Sequence, residues 1–302
     1  MSDATLRFPA SDRAVLEPYL APIQSNGSLP FTTLTYAISL DSAIAFSPGT
    51  QTVLSGPESK AMTHYLRSRH EAILVGVGTV LADDPSLNCR IEGTTLEQQP
   101  RPIVVDPVVR WDCAKSKCLA LAEKGKGKAP YVICVQSNPP LSQRKALEAA
   151  GGKYIYMDFE DAMTEDGFRF SWNAILVALQ KEGIHSIMVE GGGSIINSLL
   201  APSEIDLVSS VILTIAPTWL GQGGVVISPE RREKQKQLRL QHTKWHQLGE
   251  DAILCGTLRA NLSDLRRNRL TVPVPAIEMS DSDKKSEDLN SDGYAVIGKF
   301  TP

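Results

Sequence analysis

The stretch Val189-Glu190-Gly191-Gly192-Gly193-Ser194-Ile195 places a carboxylate, three consecutive glycines and a hydroxyl within seven residues. Ile184, Ile187 and Met188 before it read as a buried strand, and Ile195–Leu200 after it as the first turns of a helix. Strand, glycines and helix in that order suit a phosphate. Glycine lets the backbone come close to a ligand and adopt torsions that other residues resist. The free N–H groups and the positive end of the helix dipole attract an anion. Ser194 would cap the helix or donate to the same phosphate. Glu190 falls at the carboxyl end of the strand, where open α/β sheets place their ligands. The same order also makes a plain strand-to-helix turn with nothing bound, and the stretch alone does not choose between the two.

A second stretch, Gly76-Val77-Gly78-Thr79-Val80-Leu81-Ala82-Asp83-Asp84-Pro85-Ser86-Leu87-Asn88-Cys89-Arg90, carries further polar groups. The Thr79 hydroxyl suits a phosphate or a helix cap. Asp83 can accept from hydroxyls or an amide, or fix its loop. Arg90 offers a fork of donors to a phosphate. Asp41, after the first strand, is a candidate proton donor that equally serves as a loop-fixing carboxylate. His64 and His70 flank a long helix and take no role in this reading.

The elements that must position these groups alternate. Phe31–Ser39, Ala72–Val77, Pro102–Val105, Tyr131–Val135, Tyr154–Met157 and Ile184–Glu190 read as strands, several of them unbroken apolar runs that suit burial on both faces. Helices are expected near Asp12–Leu20 with Asp12 as N-cap, from Ser55 as N-cap to about Arg69, over Thr79–Asp83, from Ser142 to Ala150 and over Trp172–Lys181. Beyond Leu200, Asp206–Ile215, Leu238–His246 and Ala252–Leu258 are strand-like without long helices between them, so antiparallel pairing at the sheet edge is expected. Residues 1–29 read as an N-terminal appendage at the surface and 30–260 as the main domain. The stretch 261–302, rich in Ser, Asp and Lys around 280–292, reads as a flexible acidic and polar tail. A basic run within 228–239 (Arg231, Arg232, Lys234, Lys236 and Arg239) reads as a solvated face.

Composition narrows the classes. The 302 residues are 42% hydrophobic and 22% charged with net charge −3, a globular balance that argues against a general nucleic-acid or anionic-membrane binder. No apolar run reaches a membrane span, and the N-terminal residues lack the basic-then-apolar pattern of a secretory signal. The five cysteines form no CxxC pair and no cluster with the five histidines, so neither a metal site nor a disulfide framework is expected and reduced thiols in a cytosol fit better. The glycines do not follow the first strand as G-x-G-x-x-G, so the ordinary dinucleotide fingerprint is absent.

Taken together, Ser39-Leu40-Asp41, then Gly78–Leu87 with Arg90, then Val189–Gly193 resemble the riboflavin-pathway reductase family, above all its monofunctional fungal type. The resemblance spans about residues 30–259. It implies a dihydrofolate-reductase-like α/β fold with a mixed, mostly parallel central sheet flanked by helices. It implies NADPH as hydride donor, a homodimer, and reduction of the ribosylamino side chain of a pyrimidinone 5′-phosphate to the ribitylamino form, and with the reduced thiols the expected place is the cytoplasm. By the same resemblance Thr79, Asp83, Gly191, Gly192, Gly193, Ser194 and Ile195 match cofactor-binding positions. Arg67, Leu87, Arg90 and Glu190 match substrate-contacting ones, with Arg67 and Arg90 on the phosphate. Ala37 would lie beside the nicotinamide and Met157 near the cofactor, while Asp106 and Arg110 follow a strand where an adenosine phosphate could rest. Two positions depart from bacterial relatives, Ser42 in place of Gly and Thr35 in place of Lys. The H-x-E and P-C-x-x-C signature of the fused zinc deaminase is absent, so a reductase alone is expected. Two competing readings are an NADPH reductase of the same fold acting on a pterin-like heterocycle, and a non-catalytic nucleotide-binding module.

Overall fold

The unbroken apolar runs form the middle of one nine-stranded sheet. The structure is a computed structural model that describes residues 4–22, 27–135, 139–158, 163–164, 167–168, 170–229 and 238–258. The tail expected over 261–302 and Arg231, Arg232, Lys234 and Lys236 of the basic run lie outside the described residues.

In chain order the strands are β1 (Phe31–Ile38), β2 (Ala43–Ala45), β3 (Ala72–Gly76), β4 (Arg101–Val105), β5 (Tyr131–Val135), β6 (Lys153–Met157), β7 (Met163–Thr164), β8 (Gly167–Phe168), β9 (Ser186–Gly191), β10 (Ser210–Ile215), β11 (Val225–Val226), β12 (Gln241–Leu248) and β13 (Asp251–Thr257). The α-helices are α1 (Ala10–Leu16), α2 (Pro57–Ser68), α3 (Val77–Asp83), α4 (Lys117–Glu123), α5 (Leu141–Ala149), α6 (Trp172–Lys181) and α7 (Gly193–Leu199). The sheet order is β12-β13-β10-β1-β9-β3-β4-β5-β6. From β10 to β6 every neighbour is parallel, and β13 and β12 add antiparallel at one edge, as the loss of intervening helices led us to expect.

Side chains alternate between the two faces. On β3, Leu74 joins the cluster under α6 and α7 with Ile175, Leu176, Leu179, Ile196 and Leu199, while Ile73 and Val75 join a cluster with Leu119 and Leu147 of α4 and α5. On β9, Ile187 and Val189 go to the first face and Met188 to the other, beneath α2. A strand covered on both sides has no polar face to show, which is why these runs carry no period-two signal.

The residues expected as a surface appendage are partly core. Phe8, Leu16, Tyr19 and Leu20 are buried against Ala61, Met62, Tyr65 and Leu66 of α2. Leu6 also bridges Ile91 in parallel, with its N–H donating to the Arg90 carbonyl at 2.8 Å and its carbonyl accepting from Glu92 N–H at 2.9 Å.

The expected side-chain caps at Asp12, Ser55 and Ser194 do not form. The N-caps are Pro9, Gly56 and Gly192, none with a capping side chain. For α2 the anion comes from across the fold instead: the buried Asp251 carboxylate accepts from Gly56 N–H at 2.9 Å and from the Ser59 hydroxyl at 2.5 Å, a negative charge on the positive helix end.

Candidate active site

β9 lies between β1 and β3, and the carboxyl ends of all three open on one side of the sheet. Pairing of β3 with β9 runs Leu74 to Val189 and then Val75 to Gly191, skipping Glu190. Glu190 is thus the extra residue of a bulge, a device that re-aims one side chain at a strand end.

Past the bulge the backbone turns through torsions closed to most residues: φ is +77° at Gly191 and +115° at Gly192. The turn is also crowded. A Cβ on Gly192 would meet Thr79 Oγ1 at 2.9 Å, and one on Gly193 would meet Val225 Cγ1 of β11 at 2.5 Å. The Thr79 hydroxyl donates to the Gly191 carbonyl at 3.1 Å, joining α3 to the turn. Ser194 is exposed within the first turn of α7, where helix N–H groups have no partner inside the helix. Ile195 packs over Gly76, where a Cβ would stand 2.9 Å from its Cδ1. Thr79, Gly191, Gly192, Gly193, Ser194 and Ile195 are therefore gathered in one place.

Asp83 ends α3. Its Oδ1 is buried with no hydrogen-bond partner among the described residues. Burial raises its pKa, opposed in part by Lys117. A buried acceptor left unpaired costs about 1–3 kcal/mol, and a ligand N–H or hydroxyl would recover it. Gly78 on the same helix is exposed, with open space where a Cβ would stand. An unpaired acceptor, an open glycine face and a glycine turn with free N–H groups together fit the hydroxyls and phosphates of a dinucleotide.

Two of the residues expected on the substrate, Arg67 and Glu190, bond to each other. Arg67, in the last turn of α2, donates from Nε to Glu190 Oε1 and from Nη2 to Glu190 Oε2, both at 2.8 Å, and from Nη1 to the Asn88 carbonyl at 3.0 Å. Their side chains are 12% and 19% exposed. Burial opposes the charge on Arg67, but Glu190 outweighs it and the pKa is raised. The fork-on-fork pair fixes both planes. It also occupies much of the Arg67 fork that the sequence reading assigned to a phosphate.

Arg90 faces His64, one turn before Arg67 on α2. The main-chain N–H of Arg90 lies 3.1 Å from His64 Nδ1, and its Nε and Nη2 lie 3.3 and 3.0 Å from His64 Nε2. Burial and the charges of Arg67, Arg90 and Lys60 push the His64 pKa down to about 2, so the ring is neutral. Leu87 has φ of +52°, rare for a branched side chain, and that side chain is 1% exposed within the core. A contact from Leu87 to a ligand would therefore come from its strained backbone.

The remaining expectations divide. Asp41 accepts from the Ser39 hydroxyl at 2.5 Å, from Leu220 N–H at 3.1 Å and from Gly221 N–H at 2.7 Å. The Ser39 hydroxyl and those amides draw its pKa down to about 2, so it is an ionised loop anchor rather than a proton donor. Asp106 is fully buried and accepts from Trp111 N–H at 2.9 Å, which fixes its turn. Met157 is buried in the core beside Phe170 and Trp172. Ala37 is half-buried on β1 opposite Thr214. Sequence reasoning passed over His64, the bulge at Glu190, and the β2–β11 ribbon that seats Val225 against Gly193.

Comparison with known proteins gives a consistent result. Residues 30–254 match the model of the RibD C-terminal domain. The 2,5-diamino-6-ribosylamino-4(3H)-pyrimidinone 5′-phosphate reductase of Debaryomyces hansenii is 44% identical over 255 residues, covering 84% of this chain and 98% of that protein. The enzyme of the same name from Saccharomyces cerevisiae is 39% identical over 235 residues, 77% of this chain and 88% of its own. Among solved structures, the Saccharomyces cerevisiae riboflavin biosynthesis reductase Rib7 superposes with a TM-score of 0.66 at 35% identity, over 82% of this chain and all of that one. Acinetobacter baumannii RibD shares the fold at 23% identity, with a TM-score of 0.62 over 77% of this chain and 59% of that one. The large, mostly parallel sheet with its antiparallel edge is thus the dihydrofolate-reductase-like fold of these reductases.

Proposed function

The chain belongs to the family of the RibD C-terminal domain, and on that premise we propose that it reduces 2,5-diamino-6-ribosylamino-4(3H)-pyrimidinone 5′-phosphate with NADPH, yielding the ribitylamino form in riboflavin biosynthesis. A reductase of this family takes its electrons from a nicotinamide cofactor. When bound, the nicotinamide would supply a hydride to the ribosyl carbon beside the exocyclic nitrogen after ring opening has broken its bond to the ring oxygen and left an imine, and a proton from solvent would complete the amine.

The single observation that carries the proposal is the end of β9, where two sets of groups meet at one bulge. On the cofactor side, Gly191, Gly192 and Gly193 bring the backbone close, and the first turn at Ser194 and Ile195 presents its N–H groups. Thr79 ties that turn to α3, and the unpaired Asp83 oxygen accepts from a ligand hydroxyl or amide. On the substrate side, Glu190 is held rigid by Arg67 and orients the sugar hydroxyls or the pyrimidine. Arg90 takes the 5′-phosphate, and Leu87 contributes backbone. The Arg67 pairing supports giving Arg67 the task of fixing Glu190 and Arg90 the larger share of the phosphate.

We place the enzyme in the cytoplasm as a homodimer. All five cysteines are free and buried, and among the described residues no helix is long and apolar enough to cross a membrane. Exposed Phe46, Val53, Trp219 and Trp245 offer apolar surface for a second copy. NADPH oxidation in the presence of the ribosylaminopyrimidinone phosphate tests the activity. Turnover of dihydrofolate with none on the pyrimidinone phosphate would overturn it. Light scattering tests the dimer, and a monomeric mass at micromolar concentration would refute it.

A further inference from the structure

α2 presents His64 and Arg67 three residues apart, on one face, to the end of the sheet. Arg67 is spent on Glu190. His64 is spent on Arg90, and in an unusual way. It is 4% exposed. Its Nδ1 faces the Arg90 main-chain N–H, and its Nε2 faces the Nε and Nη2 donors of the same residue. The neutral ring has a single lone pair, on Nδ1 or on Nε2 according to its tautomer, so it accepts either from the Arg90 backbone or from its guanidinium. The Arg90 carbonyl is held from the other side by Leu6 N–H at 2.8 Å, and Leu6 is anchored through Phe8, which stacks on Tyr65 of α2 at 5.2 Å between ring centroids.

We propose that His64 is a positioning residue for the reduction, setting the Arg90 guanidinium where the substrate phosphate arrives. The proposal rests on the reading of Arg90 as a phosphate contact. The ring is neutral and has one lone pair, while three Arg90 donors face it. It cannot satisfy them all. The guanidinium is thus faced by an acceptor that carries no charge, and an anionic oxygen outcompetes that acceptor because a charge-assisted bond is the stronger one. A carboxylate in place of His64 would aim Arg90 equally well but would compete with the phosphate. A neutral, buried acceptor avoids that competition.

The test is a set of steady-state kinetics on the full chain. His64→Leu should raise KM for the pyrimidinone phosphate about tenfold, the worth of one bond to a charged group, with kcat and KM for NADPH changed far less. His64→Gln, whose amide oxygen reaches the Nε2 position, should restore most of the loss. His64→Asn, which reproduces only the Nδ1 position, should not. In an Arg90→Ala background His64→Leu should add about nothing, since residues acting through one another are not additive. An equal rise in KM in both backgrounds overturns the proposal, because His64 would then act without Arg90. So does an unchanged KM in His64→Leu when Arg90→Ala raises it. If Arg90→Ala itself leaves KM unchanged, the phosphate reading of Arg90 has failed, and that outcome is separate. Should His64→Leu not fold, the Gln and Asn pair decides: equal KM values for the two refute the proposal.

Discussion

Replacing Glu190 by Gln probes the joint on which the site is built. The variant keeps the volume and one acceptor of Glu190 but removes its charge and turns one oxygen into an NH2 facing the Arg67 donors. The native pair makes two charge-assisted bonds at 2.8 Å, with side chains 12% and 19% exposed. Such bonds are worth about 1.5–3 kcal/mol each, against about 0.5–1.5 for the one neutral bond that Gln retains. The loss is therefore about 3 kcal/mol, at the low end of the cost of breaking a buried pair, because the Asn88 carbonyl still takes Arg67 Nη1. For a domain of this size each kcal/mol shifts Tm by about 2–4 °C, so the melt followed by circular dichroism should fall by about 6–12 °C. A double-mutant cycle with Arg67→Met isolates the pair, and its coupling should exceed about 1.5 kcal/mol. A Glu190→Gln melt within about 1 °C of wild type, with additive single variants, would refute the reasoning.

Other perturbations separate the parts of the site. Gly192→Ala forces a side chain onto φ of +115° and toward Thr79 Oγ1; NADPH affinity by fluorescence quenching should fall about tenfold, the equivalent of about 1.4 kcal/mol of strain, and an unchanged affinity would remove the turn from the cofactor site. Asp83→Ala should weaken NADPH by a similar factor without lowering Tm, because it deletes an unpaired buried acceptor; a lowered Tm with unchanged affinity would make Asp83 purely structural. His70 should make the fold sensitive to mild acid. It is buried, with Nδ1–H donating to the Leu66 carbonyl at 2.7 Å and Nε2 accepting from Thr33 Oγ1 at 2.8 Å, and burial lowers its pKa from 6.5 to about 4. Its neutral form costs nothing above the unfolded pKa of 6.5, so stability is complete there. As pH falls from that value toward about 4 the unfolded chain binds a proton that the fold refuses, and each pH unit removes about 1.4 kcal/mol. Urea unfolding at several pH values should show that slope flattened by about this amount in His70→Gln, and an unaltered slope would show that His70 is not its source.

Much of this was legible in the chain because burial on both faces leaves a plain mark. Ala72–Val77 and Tyr131–Val135 are unbroken apolar runs and Ile187–Val189 is a shorter one, and the structure places β3, β5 and β9 inside the parallel sheet. The loss of helices after Leu200 announced the antiparallel edge of β10, β13 and β12. What could not be read has a common cause, a partner far along the chain. Arg67 and Glu190 are 123 residues apart, and Thr79 and Gly191 112. Nothing local to Ser55 reveals that Asp251 supplies the anion for α2. His64 sits on an apolar helix face like any core histidine, and only the return of the chain at Arg90 gives it a task. The N-terminal residues read as a surface appendage because Phe8, Leu16, Tyr19 and Leu20 are too sparse to make a run, yet each is buried in the cluster with α2.

The central claim is that one strand end brings the nicotinamide against the ribosyl carbon. Single-turnover reaction with NADPH deuterated at the transferable position, followed by mass spectrometry of the pyrimidine product, tests it directly. The expected result is a ribitylamino product carrying one deuterium on the carbon beside the exocyclic nitrogen. A ribitylamino product without the label, or oxidation of the cofactor with the ribosylamino compound returned unchanged, would contradict it.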